Sequence, residues 1–315
     1  MKNGYNFITI FASVFIIFIG ENMDTKVEIS KNCCLCYGAK RALDKAKQCV
    51  LEGDNVVLYK QLLHNKRTLQ TLYDKGARQL EDLTKIGIGD RVVIRAHGEP
   101  KSTFEYLDKN NIVYEDCTCP NVARIQKLVE EKDNQGYKII IIGKYGYKSG
   151  QMHPEVYATS NWCHNPILIE ESEEVDLLDM SFDKYFLVVQ TTFSSAKASQ
   201  IIDLIKQKMQ KNKKFFDYKN TTCNAQHIIN DSSVLLAKSV DKMLVVGGKN
   251  SSNTKELFNN VAQYTQSFFV ENLDDVKNLI KTGQLKKGDY IGLTGGASTV
   301  IEELEEIKNY ILSVI

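Results

Sequence analysis

The sequence predicts an α/β protein built from three related units, each a mostly parallel sheet flanked by helices. Three observations lead there. Apolar runs of strand length alternate with amphipathic helical segments along the whole chain, and several strands are apolar throughout, as in sheets covered on both faces. A module recurs after Cys36, Cys119 and Cys223: helix, apolar strand, polar loop, second helix, and later another strand ending in a polar loop. The offset from cysteine to the first polar cluster is also similar: Cys36 to His64, Cys119 to His153 and Cys223 to Ser251. Units of one kind are often arranged around a shared centre.

The elements follow in order. In the first unit a short strand is expected over 26–29 and a helix over 39–52, which Gly53 can cap. A buried strand at 55–59, a helix at 66–75 closed by Gly76, and a strand at 91–94 complete it. The second unit has a helix at 121–135 closed by Gly136, then the strongest strand, 138–142 (KIIII). Strands at 167–169 and 185–189 and a helix at 195–212 follow. The third unit has a helix after Cys223, a strand at 243–246, a helix from about 253, and a strand at 267–270. A short helix near 274–281, a strand at 290–293 and a closing helix at 300–314 end the chain. Expected unit boundaries are 23–118, 119–216 and 217–315.

Residues 1–22 are set outside the fold. Phe7 to Ile19 is a mostly apolar run preceded by Lys2, short for a membrane span and similar to the core of a signal peptide. No A-x-A site follows it, and Met23 immediately precedes the first strand. A targeting leader, a membrane tether and a start at Met23 are all open readings. A site of several free thiolates requires a reducing compartment, so an intracellular location is expected.

The chain has 315 residues, 43% hydrophobic and 25% charged, the composition of an ordinary soluble globular protein. A formal net charge of +1 provides no global field to attract nucleic acid or an anionic membrane, and neither is an expected partner. Alternating charges along the helices read as solvated faces. Eight cysteines are too few for a disulfide framework at this length. Cys49, inside a helix, reads as a small core residue.

Chemistry-bearing residues fall in six polar clusters at strand ends. The first set is Leu63-His64-Asn65, His153-Pro154-Glu155 and Ser251-Ser252-Asn253; the second is Ala96-His97-Gly98, Gln190-Thr191-Thr192 and Gly296-Ala297-Ser298. In parallel sheets ligands bind at the carboxyl ends of strands, where these loops lie. Three of the five histidines sit in them, and with Ser251, Ser252, Asn253 and Ser298 they offer many donors and no negative charge, which suits phosphate oxygens. The Gly-rich passages 246–253 and 293–298 enter helices, where free N–H groups favour an anion. Neither matches the nucleotide-binding P-loop pattern. Glu155, the one carboxylate in the clusters, is either a general acid or a surface residue after Pro154. One cysteine per unit suits an iron–sulfur cluster, whose standard ligands are thiolates, better than a structural zinc site. The alternative is that these cysteines are buried small residues. Other classes weighed are an iron–sulfur enzyme acting on another phosphorylated metabolite and a non-catalytic secreted zinc or disulfide protein.

Taken together, C-Y-G-A-K-R-A (36–42), L-H-N (63–65), A-H-G (96–98), D-C-T-C-P (116–120), H-P-E-V (153–156), Q-T-T (190–192), V-V-G-G-K-N-S-S-N (245–253) and T-G-G-A-S (294–298) closely resemble the 4-hydroxy-3-methylbut-2-enyl diphosphate reductase (LytB) family over roughly residues 23–314. The resemblance implies a three-lobed α/β trefoil with pseudo-threefold symmetry. It implies that Cys36, Cys119 and Cys223 hold a [4Fe–4S] cluster. It implies that His64, His97, Ser251, Ser252, Asn253 and Ser298 bind the substrate diphosphate, with His153 at its edge, and that Thr191 and Glu155 contact the substrate hydroxyl and relay a proton. The implied reaction is reductive dehydroxylation to isopentenyl and dimethylallyl diphosphates, the last step of the methylerythritol phosphate route to isoprenoids. The implied electron donor is a small ferredoxin or flavodoxin, and the implied location is the cytoplasm, or a plastid-type organelle if residues 1–22 are a leader. One departure is local: the family usually has G-F-C where this chain has Cys34-Leu35-Cys36, preceded by Cys33.

Overall fold

The computed structural model describes residues 24–63, 65–248, 251–297 and 299–315, with the side chains of Ser252 and Asn253 left out. The expected leader and the site residues His64 and Ser298 therefore lie outside the described residues, as do the side chains of Ser252 and Asn253. The described chain begins with β1 (Lys26–Ile29), α1 (Tyr37–Leu51), β2 (Asn55–Tyr59), α2 (Lys66–Tyr73), β3 (Arg78–Leu80), β4 (Asp90–Ile94), α3 (Lys101–Lys109) and β5 (Val113–Asp116). It continues through α4 (Pro120–Asn134), β6 (Lys138–Ile142), α5 (Pro154–Ser160), β7 (Ile167–Ile169), β8 (Lys184–Val189), α6 (Ser195–Lys211) and β9 (Phe215–Lys219). It ends with α7 (Ala225–Ala237), β10 (Lys242–Val246), α8 (Ser252–Val261), β11 (Gln266–Val270), α9 (Leu273–Lys281), β12 (Tyr290–Gly295) and α10 (Ile301–Val314).

These strands form three four-stranded sheets, ordered β3-β2-β4-β5, β7-β6-β8-β9 and β11-β10-β12-β1, and every pairing is parallel. The central strands are apolar because helices cover both faces: Val56–Tyr59, Ile139–Ile142 and Met243–Val246 are all buried. The predicted α/β class with three helix-flanked parallel sheets is the observed one.

The first strand is the correction. Sequence order places it in the first unit, but β1 pairs with β12 (Val27 with Ile291, Ile29 with Leu293) and completes the third sheet. The reason is the order of the repeat. The outer strands β5 and β9 each run into a cysteine and then into a helix that packs on the next sheet, α4 on β6 and β8, and α7 on β12. β1 is the third such strand. It precedes Cys36 and α1, which packs on β2 and β4, and the last sheet is the one still lacking this strand. Each cysteine module thus sits at a junction between two sheets.

Candidate active site

Because all strands in a sheet run the same way, both polar loops of each sheet emerge at one end, from adjacent central strands. The cysteine loops are fastened to the second of these loops by equivalent hydrogen bonds. Cys119 N–H donates to Ala96 O (2.9 Å), and Cys223 N–H donates to Thr191 O (2.8 Å). Cys34 N–H donates to Gly295 O (3.0 Å) and Leu35 N–H to Thr299 O (2.9 Å), on either side of position 298. The pairs β4/β5, β8/β9 and β12/β1 therefore set each cysteine beside its polar cluster.

The three modules meet. A β-carbon added to Gly38, two residues after Cys36, would lie 2.9 Å from both Cβ and Sγ of Cys119, so α1 approaches Cys119 only because position 38 lacks a side chain. Cys119 and Cys223 lie within electrostatic reach of each other, and each lies within reach of Cys36 and Glu155. All three cysteines are half-buried and free. Burial raises the thiol pKa of Cys119 and Cys223. The N–H groups of Asn121 and Val122 oppose this at Cys119, and that of Ala225 opposes it at Cys223. Cys36 and Cys119 are the N-cap residues of α1 and α4, and Cys223 precedes the N-cap of α7. A helix start favours negative charge and thus a thiolate.

Glu155 is 2% exposed and stands in the first turn of α5. Its Oε1 accepts from Thr191 N–H (2.6 Å) and its Oε2 from Thr191 Oγ1 (2.7 Å). Burial outweighs these two bonds and lifts the carboxyl to about 7. The surface reading of this residue is thereby ruled out. His153 caps the same helix, its Nδ1 accepting from Glu155 N–H at 3.2 Å. The rings of His97 and His153 meet edge to face at 5.3 Å, joining clusters of the first and second sheets. Ser251 caps α8 by accepting from Thr254 N–H (3.2 Å), which leaves its hydroxyl proton available as a donor. Among the described residues, Cys36, Cys119, Cys223, His97, His153, Thr191 and Ser251 lie in the segments that follow strand ends, and Glu155 lies in the first turn of α5.

Against this site the sequence model of the family described as LytB protein matches residues 27–312. The chain belongs to the LytB family. Two relatives carry the name 4-hydroxy-3-methylbut-2-enyl diphosphate reductase. That from Caldanaerobacter subterraneus subsp. tengcongensis is 35% identical over 295 residues, 90% of this chain and 97% of that protein. That from Clostridioides difficile is 32% identical over 290 residues, 90% and 98% respectively. Among solved structures, an (E)-4-hydroxy-3-methyl-but-2-enyl diphosphate reductase, titled the terminal enzyme of the non-mevalonate pathway, superposes with a TM-score of 0.78 at 26% identity, covering 92% of this chain and 100% of that one. The reductase of Plasmodium falciparum gives 0.70 at 25%, covering 91% and 88%.

Gln190 belongs to an expected polar cluster, whereas Lys144, Glu99, Lys60, Trp162 and Tyr157 join the site with no motif of their own. Gln190 is buried; its Oε1 accepts from Lys144 N–H (2.9 Å) and its Nε2 donates to Thr192 Oγ1 (2.8 Å), linking the loops after β6 and β8. Behind His97, Glu99 is fully buried between Arg95 and Lys60, and its carbonyl accepts from Trp162 Nε1 (3.0 Å). The ammonium of Lys60 also lies 5.2 Å from the ring centroid of Tyr157 on α5. Lys60 and Glu99, Lys144 and Gln190, and Glu99 and Trp162 are 39, 46 and 63 residues apart, so no local pattern marks these pairs.

Proposed function

We propose that the chain catalyses reductive dehydroxylation of 4-hydroxy-3-methylbut-2-enyl diphosphate to isopentenyl and dimethylallyl diphosphates, using a [4Fe–4S] cluster on Cys36, Cys119 and Cys223. The observation that carries the reading is the bonding of three cysteine segments to polar loops, through Cys119, Cys223 and the Cys34-Leu35 pair that precedes Cys36, near a buried Glu155–Thr191 pair. The residues fit such a group. Their thiols lie within electrostatic reach of each other at helix starts, while no three His, Cys, Asp or Glu among the described residues gather closely enough to hold a single ion. When bound, the cluster would supply one-electron reduction and a Lewis-acidic iron without a protein ligand.

The protein's own residues do the rest. His97, His153 and Ser251, with His64, Ser252, Asn253 and Ser298, bind the diphosphate through neutral or cationic donors. Thr191 orients the substrate hydroxyl. Glu155, held near pKa 7, keeps a proton in a site closed to water and delivers it as the C–O bond breaks, so that the oxygen leaves as water. Eight free cysteines fit a reducing compartment, the cytoplasm or a plastid-type organelle. Among the described residues no helix is long and apolar enough to cross a membrane. A small ferredoxin or flavodoxin is the electron donor this reading calls for. Iron and sulfide analysis of anaerobically purified protein, with Mössbauer spectra before and after substrate, tests it. One iron signal should change on adding substrate; colourless protein that binds only zinc would overturn the assignment.

A further inference from the structure

Cys33 and Cys34 take no part in the chemistry above, yet their geometry is unusual. On extended backbone, neighbouring side chains point to opposite faces. Here Cys34 adopts φ +72°, a left-handed conformation uncommon for any residue with a β-carbon. Its Sγ lies 3.5 Å from that of Cys33, with the Cys34 S–H directed at Cys33. The conformation is held by the Cys34 N–H bond to Gly295 O and the Leu35 N–H bond to Thr299 O. Cys34 is buried and Cys33 is half-buried, so one sulfur of the pair is open to a reagent and the other stands behind it.

We propose that Cys33 and Cys34 form a vicinal dithiol that small disulfides oxidise reversibly, a modification site that loosens their bonds to Gly295 and Thr299. The Cys33 thiolate attacks one sulfur of the small disulfide; a mixed disulfide forms and one small thiolate departs. Cys34, giving its proton to solvent, attacks Cys33 Sγ and expels the second small thiolate. The two cysteines lose two electrons, the small disulfide gains them, and two small thiols result. The S–H of Cys34 and the N–H of Gly295 lower the pKa of Cys33, in keeping with its role as the attacking sulfur. Bond formation must shorten the contact to about 2.05 Å. The backbone at 33–34 must then move, and it is bonded on both sides of position 298 and lies next to Cys36. The covalent step stands on this geometry alone; its effect on turnover rests on the function proposed above.

The test treats anaerobically purified, iron-loaded protein with oxidised glutathione, blocks remaining thiols by alkylation, and maps them by peptide fragmentation. The expected product is a Cys33–Cys34 bond, undone by dithiothreitol, with turnover lost while iron is retained and regained on reduction. C34S should trap glutathione on Cys33. C33S should show neither the bond nor the loss of turnover. Glutathione retained on Cys33 in the wild type, a bond involving Cys36, unmodified cysteines, or full turnover with the bond formed would each overturn the proposal. Failure of the functional reading differs from all of these: fully reduced, iron-replete protein would show no turnover before any oxidant is added.

Discussion

Glu155 illustrates how one side chain can be good for chemistry and costly for folding. Its carboxyl is closed to water, and burial holds it at about 7 against about 4.3 in an unfolded chain. In its proposed role as proton donor it must be neutral, so kcat should fall as pH rises through about 7. E155Q should leave the visible spectrum of the cluster intact and lower kcat at least about a hundredfold at every pH, the usual worth of a general acid. Stability has a related dependence. Between about pH 4.3 and 7 the folded state binds the proton that the unfolded state has released, so this group's contribution is full below 4.3 and declines as pH rises towards 7. Urea unfolding of the iron-free protein should find E155Q more stable than wild type at pH 8, by on the order of 3–4 kcal/mol, and nearly equal at pH 4. A constant difference at both pH values would contradict the raised carboxyl.

Among elements, α1 and α5 bear most closely on the proposed site. The contact of Gly38 with Cys119 makes G38A a test of how tightly the modules close. The added methyl meets Cβ and Sγ at 2.9 Å, and overpacking of this kind costs about 1–3 kcal/mol. Reduced thermal stability together with reduced iron content is the expected result. Helix α5 is tied to the first sheet through Lys60, Tyr157, Trp162 and Glu99. K60M leaves Glu99 buried with Arg95 as its remaining cation, a loss of about 2 kcal/mol, and should lower kcat more than it changes KM because Glu155 rides on that helix. Steady-state kinetics on iron-replete protein would show it. The outer strands explain what was hard to read in sequence. β5 (VYED) and β9 (FFDYK) face solvent along much of their length and lack the continuous apolar run that marked 138–142.

At the scale of the molecule, one cysteine stands at each of three junctions between sheets, so a cluster bound there would join all three. Removing iron should therefore lower Tm by several degrees, since a ligand held only by the folded state stabilises it. Differential scanning calorimetry of loaded and iron-free protein tests this, and equal transitions would argue against ligation from all three modules. The third sheet also depends on the start of the described chain. β1 covers the free edge of β12 and buries Val27, and α10 packs against it. Deleting residues 24–30 should expose β12 and raise amide exchange there first.

The α/β class, the threefold recurrence, the strand-end position of the polar clusters and the cysteine in each module were all legible in the sequence. Burial on both faces demands apolar runs, and loops that contact ligands demand polar residues, and both leave a local trace. Only the tertiary structure decided which sheet received residues 26–29, that Glu155 is closed to water by Thr191 and burial, that Gly38 admits Cys119, and that Lys60 and Trp162 brace α5. These depend on strand pairing and packing between residues distant in the chain, and no local pattern encodes which distant partner a residue will meet.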